Sequence, residues 1–204
     1  VWGSALCPLA TSLMLISFFR FVKKGNKFDF FIILGSISMG FAFKLTFVYF
    51  TLSFLISLLL VRQDYLKKII DNIFKFKIST LLIGLLIFLF FQLPYIGKII
   101  FGFGWKPFFN FFFVEKKNKI LSYPFFHFLL EKFEHFLIFT PILIPALLFG
   151  LKSKTNRFLV LTCILTAPFL VAVPNVMHDY HYIVLVPIPY LIIGSFLSTG
   201  TKLP

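Results

Sequence analysis

The side chains in this sequence that could do chemistry fall mainly in two places. The first is Met177-His178-Asp179-Tyr180-His181-Tyr182, which follows Pro174-Asn175 and precedes a long apolar run. An imidazole can bind a metal or carry a proton near neutral pH, and a neighbouring carboxylate adds an anionic oxygen donor. His178 and Asp179 are therefore candidate ligands for a divalent metal ion. With Tyr180 and His181 they are also candidate contacts for a substrate hydroxyl or a lipid phosphate. If the segment is helical, His178 and His181 share a face. The competing reading is an interfacial cap, because such side chains sit comfortably at headgroup depth.

The second place is Lys44, a single cation between two apolar runs. An ionisable group in such a setting is a candidate for binding an anion, here a phosphate. Its alternative is a lysine whose stem carries the ammonium to nearby headgroups. His127 and His135 lie in a long loop and have no comparable setting. The sequence has no phosphate-binding glycine loop, no His-Glu-x-x-His and no G-x-S-x-G. Cys7 and Cys163 lie far apart inside apolar runs, which is neither a disulfide framework nor a zinc spacing.

The elements that must position these residues are set by composition. Hydrophobic residues make up 59% and charged residues 13%, with a mean hydropathy of +0.97. A soluble domain carries roughly 25% charged residues. This much apolar sequence exceeds the needs of one water-surrounded core and suits solution in hydrocarbon. The expected fold is all-α, a single polytopic transmembrane bundle over 1–204. A crossing needs about 20 apolar residues, and suitable runs fall near 2–19, 28–43, 45–61, 79–97, 136–151, 158–175 and 182–199, about seven helices. Phe28 to Val61 as one helix would be about 51 Å long, so a break is expected at Lys44. Tyr65–Lys77 alternates apolar residues with lysines and predicts an amphipathic helix on the membrane surface. Lys98–His135 predicts a membrane-hugging outer loop with one or two interfacial helices. Ser36 and Gly40 have the spacing that lets helices approach closely.

The net charge of +13 and pI near 9.9 come from clusters between the runs. With the break at Lys44, 13 of the 20 Lys and Arg fall on one side and 7 on the other. The basic side is then cytoplasmic, its cations facing anionic headgroups, and no nucleic-acid partner is expected. Val1 opens directly on apolar sequence without the basic region of a signal peptide, and Pro204 follows an apolar run. The chain reads as an internal or C-terminal fragment of a longer membrane protein.

Three motifs carry a resemblance to a known family. Phe18-Phe19-Arg20-Phe21, a basic loop, and Ile32-Ile33-Leu34-Gly35-Ser36-Ile37-Ser38-Met39-Gly40-Phe41-Ala42-Phe43-Lys44 resemble a segment of the GT-C membrane glycosyltransferases. The similarity is to the branch of protein O-mannosyltransferases and aminoarabinose transferases. Leu93-Pro94-Tyr95 resembles that family's ending of a middle helix. His178-Asp179-Tyr180-His181-Tyr182 with Val186-Pro187-Ile188-Pro189 resembles its entry into a late helix, although the family tends to have Tyr where His181 stands. The resemblance implies transfer of a sugar from a polyprenyl-phosphate donor to a lipid, glycan or protein acceptor. The reaction would occur on the outer face of a bacterial cytoplasmic (inner) membrane. It also implies a catalytic Asp in an earlier outer loop, which this chain does not reach. The leaving phosphate needs a cation or a metal ion to stabilise its charge, and Lys44 with His178 and Asp179 are the candidates. The alternative is a transporter, flippase or polysaccharide polymerase, with Pro141, Pro145, Pro168, Pro174, Pro187 and Pro189 breaking its helices.

Overall fold

The computed structural model describes residues 2–43, 46–98, 100, 148, 153–172 and 185–200. Among these residues the protein is entirely helical. The helices are α1 (Trp2–Lys24), α2 (Lys27–Phe43), α3 (Thr46–Val61), α4 (Gln63–Phe74), α5 (Ile78–Lys98), α6 (Lys154–Ala172) and α7 (Pro187–Gly200). Six of them lie on six of the predicted apolar runs, and α4 overlaps the predicted amphipathic stretch Tyr65–Lys77, starting two residues earlier and ending three residues sooner. The run at 136–151 apart from Leu148, the outer loop apart from Lys98 and Ile100, Lys44, His127, His135 and all of His178–His181 fall outside the described residues.

Local chemistry explains the boundaries. Gly25 ends α1 with φ of 64°, and its N–H donates to the Phe21 carbonyl at 2.8 Å. Glycine adopts this left-handed conformation without the strain a side chain would bring. Asn26 then caps α2, its Oδ1 accepting from the Phe28 N–H at 3.0 Å. α2 ends at Phe43 and α3 begins at Thr46, so the continuous apolar stretch is two helices, as its length requires.

α2 is packed extensively against α1 on one side and α5 on another, while α3 packs against α6. The two groups meet at an edge-to-face aromatic cluster. Phe18 of α1 lies 4.8 Å from Phe54 of α3, which lies 4.9 Å from Phe158 of α6. Aromatic edges are attracted to ring faces in this arrangement. Leu185, Ile188 and Ile192 complete the core from the start of α7.

The small residues of α2 do more than admit one neighbouring backbone. A Cβ on Gly40 would lie 2.4 Å from the buried Phe47 ring of α3, so this glycine is the socket for that ring. Gly35 faces Ile87 of α5, and Ser36 and Ser38 are buried. α5 runs through Pro94 to Lys98, in agreement with the predicted apolar run at 79–97. Proline removes one N–H and restricts its neighbours without having to stop a helix whose flanking turns are already formed.

Beside an apolar and aromatic core, several hydroxyls are buried and many large apolar side chains are exposed. Thr11, Ser17, Ser36, Ser38, Thr51, Ser53, Ser57, Thr162 and Thr166 are buried. Leu9, Leu13 and Ile16 of α1, Leu55, Leu59 and Leu60 of α3, and Leu82, Leu86 and Phe90 of α5 are exposed. Thr51, Thr162 and Thr166 donate to the carbonyls four residues earlier, at 2.9, 2.9 and 2.6 Å, which lets hydroxyls sit inside without needing a second helix.

By helix length and composition, Leu6–Lys24 alone is long and apolar enough to cross a bilayer among the described residues. α2 and α3 contain 17 and 16 residues, about 25 Å each at the helical rise. A second candidate arises only if Phe47–Val61 is joined to Gln63–Phe74, but these are bent by 109°.

Gly40→Val is expected to destabilise the fold by about 1–3 kcal/mol, the usual cost of overpacking. Gly97→Ala, which meets nothing within 4 Å, should be tolerated. Thermal unfolding in detergent compares the two, and equal melting temperatures would remove the socket role of Gly40.

Candidate functional site

The described polar groups form two sites at opposite ends of the helices. The first is centred on Arg62, in the break between α3 and α4. Its backbone N–H closes the last turn of α3 on Leu58, and its carbonyl opens α4 by accepting from Tyr65 and Leu66. The side chain is buried apart from a small fraction. Nε donates to Asp64 Oδ1 at 2.8 Å and Nη2 to Asp64 Oδ2 at 2.6 Å, a two-pronged ion pair. Nη1 donates to Thr155 Oγ1 at 2.6 Å, and the guanidinium carbon lies 3.2 Å from the Tyr65 ring centroid. Tyr65 and Thr155 share a further hydrogen bond at 3.2 Å. One guanidinium therefore joins α3, α4 and the first turn of α6. Its hydrogen bond to Asp64 raises the Arg62 pKa against the opposing effect of burial. The same hydrogen bond holds the Asp64 carboxyl below its ordinary range.

α4 is tied at its other end to α1. Asn72 Nδ2 donates to the Phe21 carbonyl at 3.1 Å, the same carbonyl that accepts from Gly25. Phe76 packs on Phe21 and Phe30, bringing the start of α5 to the α1–α2 turn. Asp29, in the first turn of α2, is fully buried, with Arg20 Nε 3.2 Å from Oδ1. That approach lies off the hydrogen-bond line, and neither Asp29 oxygen has a hydrogen-bonded donor. The helix N-terminus and Arg20 offset the carboxylate's charge. These contacts gather Arg20, Lys23, Lys24, Lys27, Lys67, Lys68, Lys75, Lys77, Lys154 and Arg157 at one end of the bundle. Of the described basic residues, only Lys98 lies at the far end of its helix.

The second site lies in the turns of α2 that lead towards Lys44. Ser38 Oγ donates to the Phe88 carbonyl. Gln92 Nε2 of α5 donates to the Ser38 carbonyl at 2.8 Å and to Ser38 Oγ at 3.0 Å. This clamp fixes α2 against α5 within the segment Ile32–Lys44, six residues before Lys44. Lys44 itself, and His178, Asp179, Tyr180 and His181, lie outside the described residues, so their mutual geometry does not enter this site. Among the described residues no group of three or more His, Cys, Asp or Glu side chains could hold a metal ion.

Sequence reading passed over Arg62, Thr155, Ser38–Gln92 and Asp29 as partners. Arg62 followed two residues later by Asp64, and Asp29 alone within a basic loop, were the available signals. Thr155 and Gln92 carried none, because their partners are 93 and 54 residues away. No protein-family model matches the chain, and neither a curated protein nor a solved structure matches it.

The pH dependence of the Arg62 junction has a definite sign. A carboxyl whose pKa is lowered on folding contributes stability above its unfolded value, which is lost as pH falls through the folded value. Stability contributed by Asp64 should therefore be intact at neutral pH and decline only below the ordinary value of 3.8. Asp64→Asn should flatten that acid limb, as followed by melting temperature against pH. Arg62→Met should cost more at pH 7 than Asp64→Asn, because it also strands Thr155 and empties the face of Tyr65.

Proposed function

We propose that the chain is the membrane-embedded part of a polytopic glycosyltransferase that moves a sugar from a polyprenyl-phosphate donor to an acceptor on the outer face of a cytoplasmic membrane. The observation that carries the membrane reading is the row of exposed leucines, isoleucines and phenylalanines on α1, α3 and α5, with hydroxyls buried between the helices. In water, an exposed apolar surface of this extent is an association hazard. In hydrocarbon it is the solvated surface, and the hydroxyls of Thr51, Thr162 and Thr166, satisfied within their own helices, suit a setting in which polar groups must be paired. On this reading α1, α2, α3, α5, α6 and α7 are spans, with the shorter ones completed by flanking residues, and α4 lies along the interface. The concentration of Lys and Arg at the α4 end then makes that end cytoplasmic.

Sugar transfer rests on the resemblance of the Gly35–Lys44 and His178–Tyr182 segments and on their order along the chain. α2 ends at Phe43, at the end of the bundle opposite the basic cluster, which is the outer end on this topology, and Lys44 is the next residue in the sequence. A cation there suits an anionic polyprenyl phosphate. His178 and Asp179 would bind an acceptor hydroxyl or a divalent metal ion, which would supply a Lewis acid for the leaving phosphate.

Two measurements test the reading at its two levels. Carbonate at alkaline pH should leave the chain in the membrane pellet, and impermeant labelling in intact cells should reach a cysteine at position 179 but not one at 24. Release by carbonate overturns the membrane reading. In the full-length protein, Lys44→Met should raise the donor concentration needed for transfer, and Asp179→Asn should lower turnover more than melting temperature. Wild-type transfer by both variants at limiting donor would remove Lys44 and Asp179 from the site, and no transfer by the full-length protein itself would leave a membrane protein without this chemistry, as a transporter would be.

A further inference from the structure

α4 divides its surface three ways. Tyr65, Leu66 and Ile69 pack against the core, and Tyr65 touches both Phe18 and Phe19 of α1. Ile70 and Phe74 form an exposed apolar flank, Phe74 being 85% exposed, and the flank continues into Ile78 at the start of α5. Lys67, Lys68, Asp71 and Lys75 occupy the remaining, exposed side. A helix with a protein face, an apolar flank and a cationic side fits a boundary where protein, hydrocarbon and headgroups meet.

Its position gives that boundary a mechanical consequence. α4 crosses the seam where the α1–α2–α5 group meets the α3–α6 group. Arg62 fastens it to Thr155 on one side, and Asn72 fastens it to the Phe21 carbonyl on the other. The local acids do not neutralise its lysines. Among the described residues the acids are Asp29, Asp64 and Asp71, and the first two are engaged by Arg20 and Arg62. Lys67, Lys68 and Lys75 therefore face outward with Asp71 as the one acid not engaged in an ion pair among these residues.

We infer that α4 is a brace held in place by acidic phospholipid headgroups, so that lipid charge sets how tightly the two helix groups are fastened at this end. The inference rests on the membrane reading proposed above. It names the partner as an anionic phospholipid at the α4 surface and assigns it a structural effect beyond topology. Each lysine near an anionic surface adds roughly a fivefold preference, and the effect falls with ionic strength.

The test uses the full chain in nanodiscs of phosphatidylcholine alone or with phosphatidylglycerol, followed by hydrogen–deuterium exchange. Acidic lipid should slow exchange of α4 and of the first turn of α6 by about fivefold or more, and high salt should reverse this. Lys67→Gln/Lys68→Gln/Lys75→Gln should abolish the lipid dependence, while Lys98→Gln at the other end should leave it unchanged. Equal exchange in both lipids, or a triple variant that still responds to acidic lipid, overturns the brace while leaving membrane embedding intact. Slowing confined to α4 overturns the transmission to α6. A chain that does not incorporate into nanodiscs overturns the membrane reading and the brace with it.

Discussion

Arg62 holds one end of the molecule together. Its guanidinium is the point where α3 stops, α4 turns away by 109° and α6 begins. Burying such a group is costly unless its charge and its N–H donors are satisfied. Asp64 supplies the charge through two hydrogen bonds, Thr155 takes a third, and the Tyr65 ring covers the face. Every partner is thereby fixed relative to the others, which orients α4 and sets the register of α3 against α6. The aromatic contacts of Phe18, Phe54 and Phe158 follow from that register.

The same rule, that a polar group inside must be paired, governs the interior. Threonines return their hydroxyls to the backbone of their own helix. Ser38 instead uses its hydroxyl to bind α2 to α5, donating to the Phe88 carbonyl and accepting from Gln92 Nε2. Ser53 and Ser57 of α3 and the Asn156 oxygen of α6 are buried without a hydrogen-bond partner. They lie on the two helices that Arg62 joins. Such groups, like the Asp29 carboxylate of α2, weaken a core that is otherwise apolar and aromatic.

A surface of leucines has a different meaning in each solvent. In water it would drive association through apolar burial. In a bilayer it contributes no such force between helices, and packing and hydrogen bonds must hold them together. The Gly40–Phe47 socket, the Ser38–Gln92 clamp and the Arg62 junction are contacts of that type. They sit between helices, whereas the leucines face away.

The sequence by itself determined the helices and most of their ends. Apolar runs, the Gly25–Asn26 pair and the length argument at Lys44 are local signals, and the helices follow them because capping and backbone hydrogen bonding are local. It also determined the amphipathic character of α4, which needs only the alternation of residues. Tertiary structure alone decided that Gly40 receives the Phe47 ring, that Thr155 binds Arg62 and that Gln92 binds Ser38. These partners are chosen by which faces meet after the helices pack, and no spacing along the chain encodes that choice. Pro94 lies inside the predicted run at 79–97, and helical turns on both sides carry α5 through it to Lys98. The chemistry assigned to Lys44, His178 and Asp179 belongs to the sequence, because a lone cation and an imidazole–carboxylate pair are recognisable by type; bringing them to one substrate is a matter of helix packing.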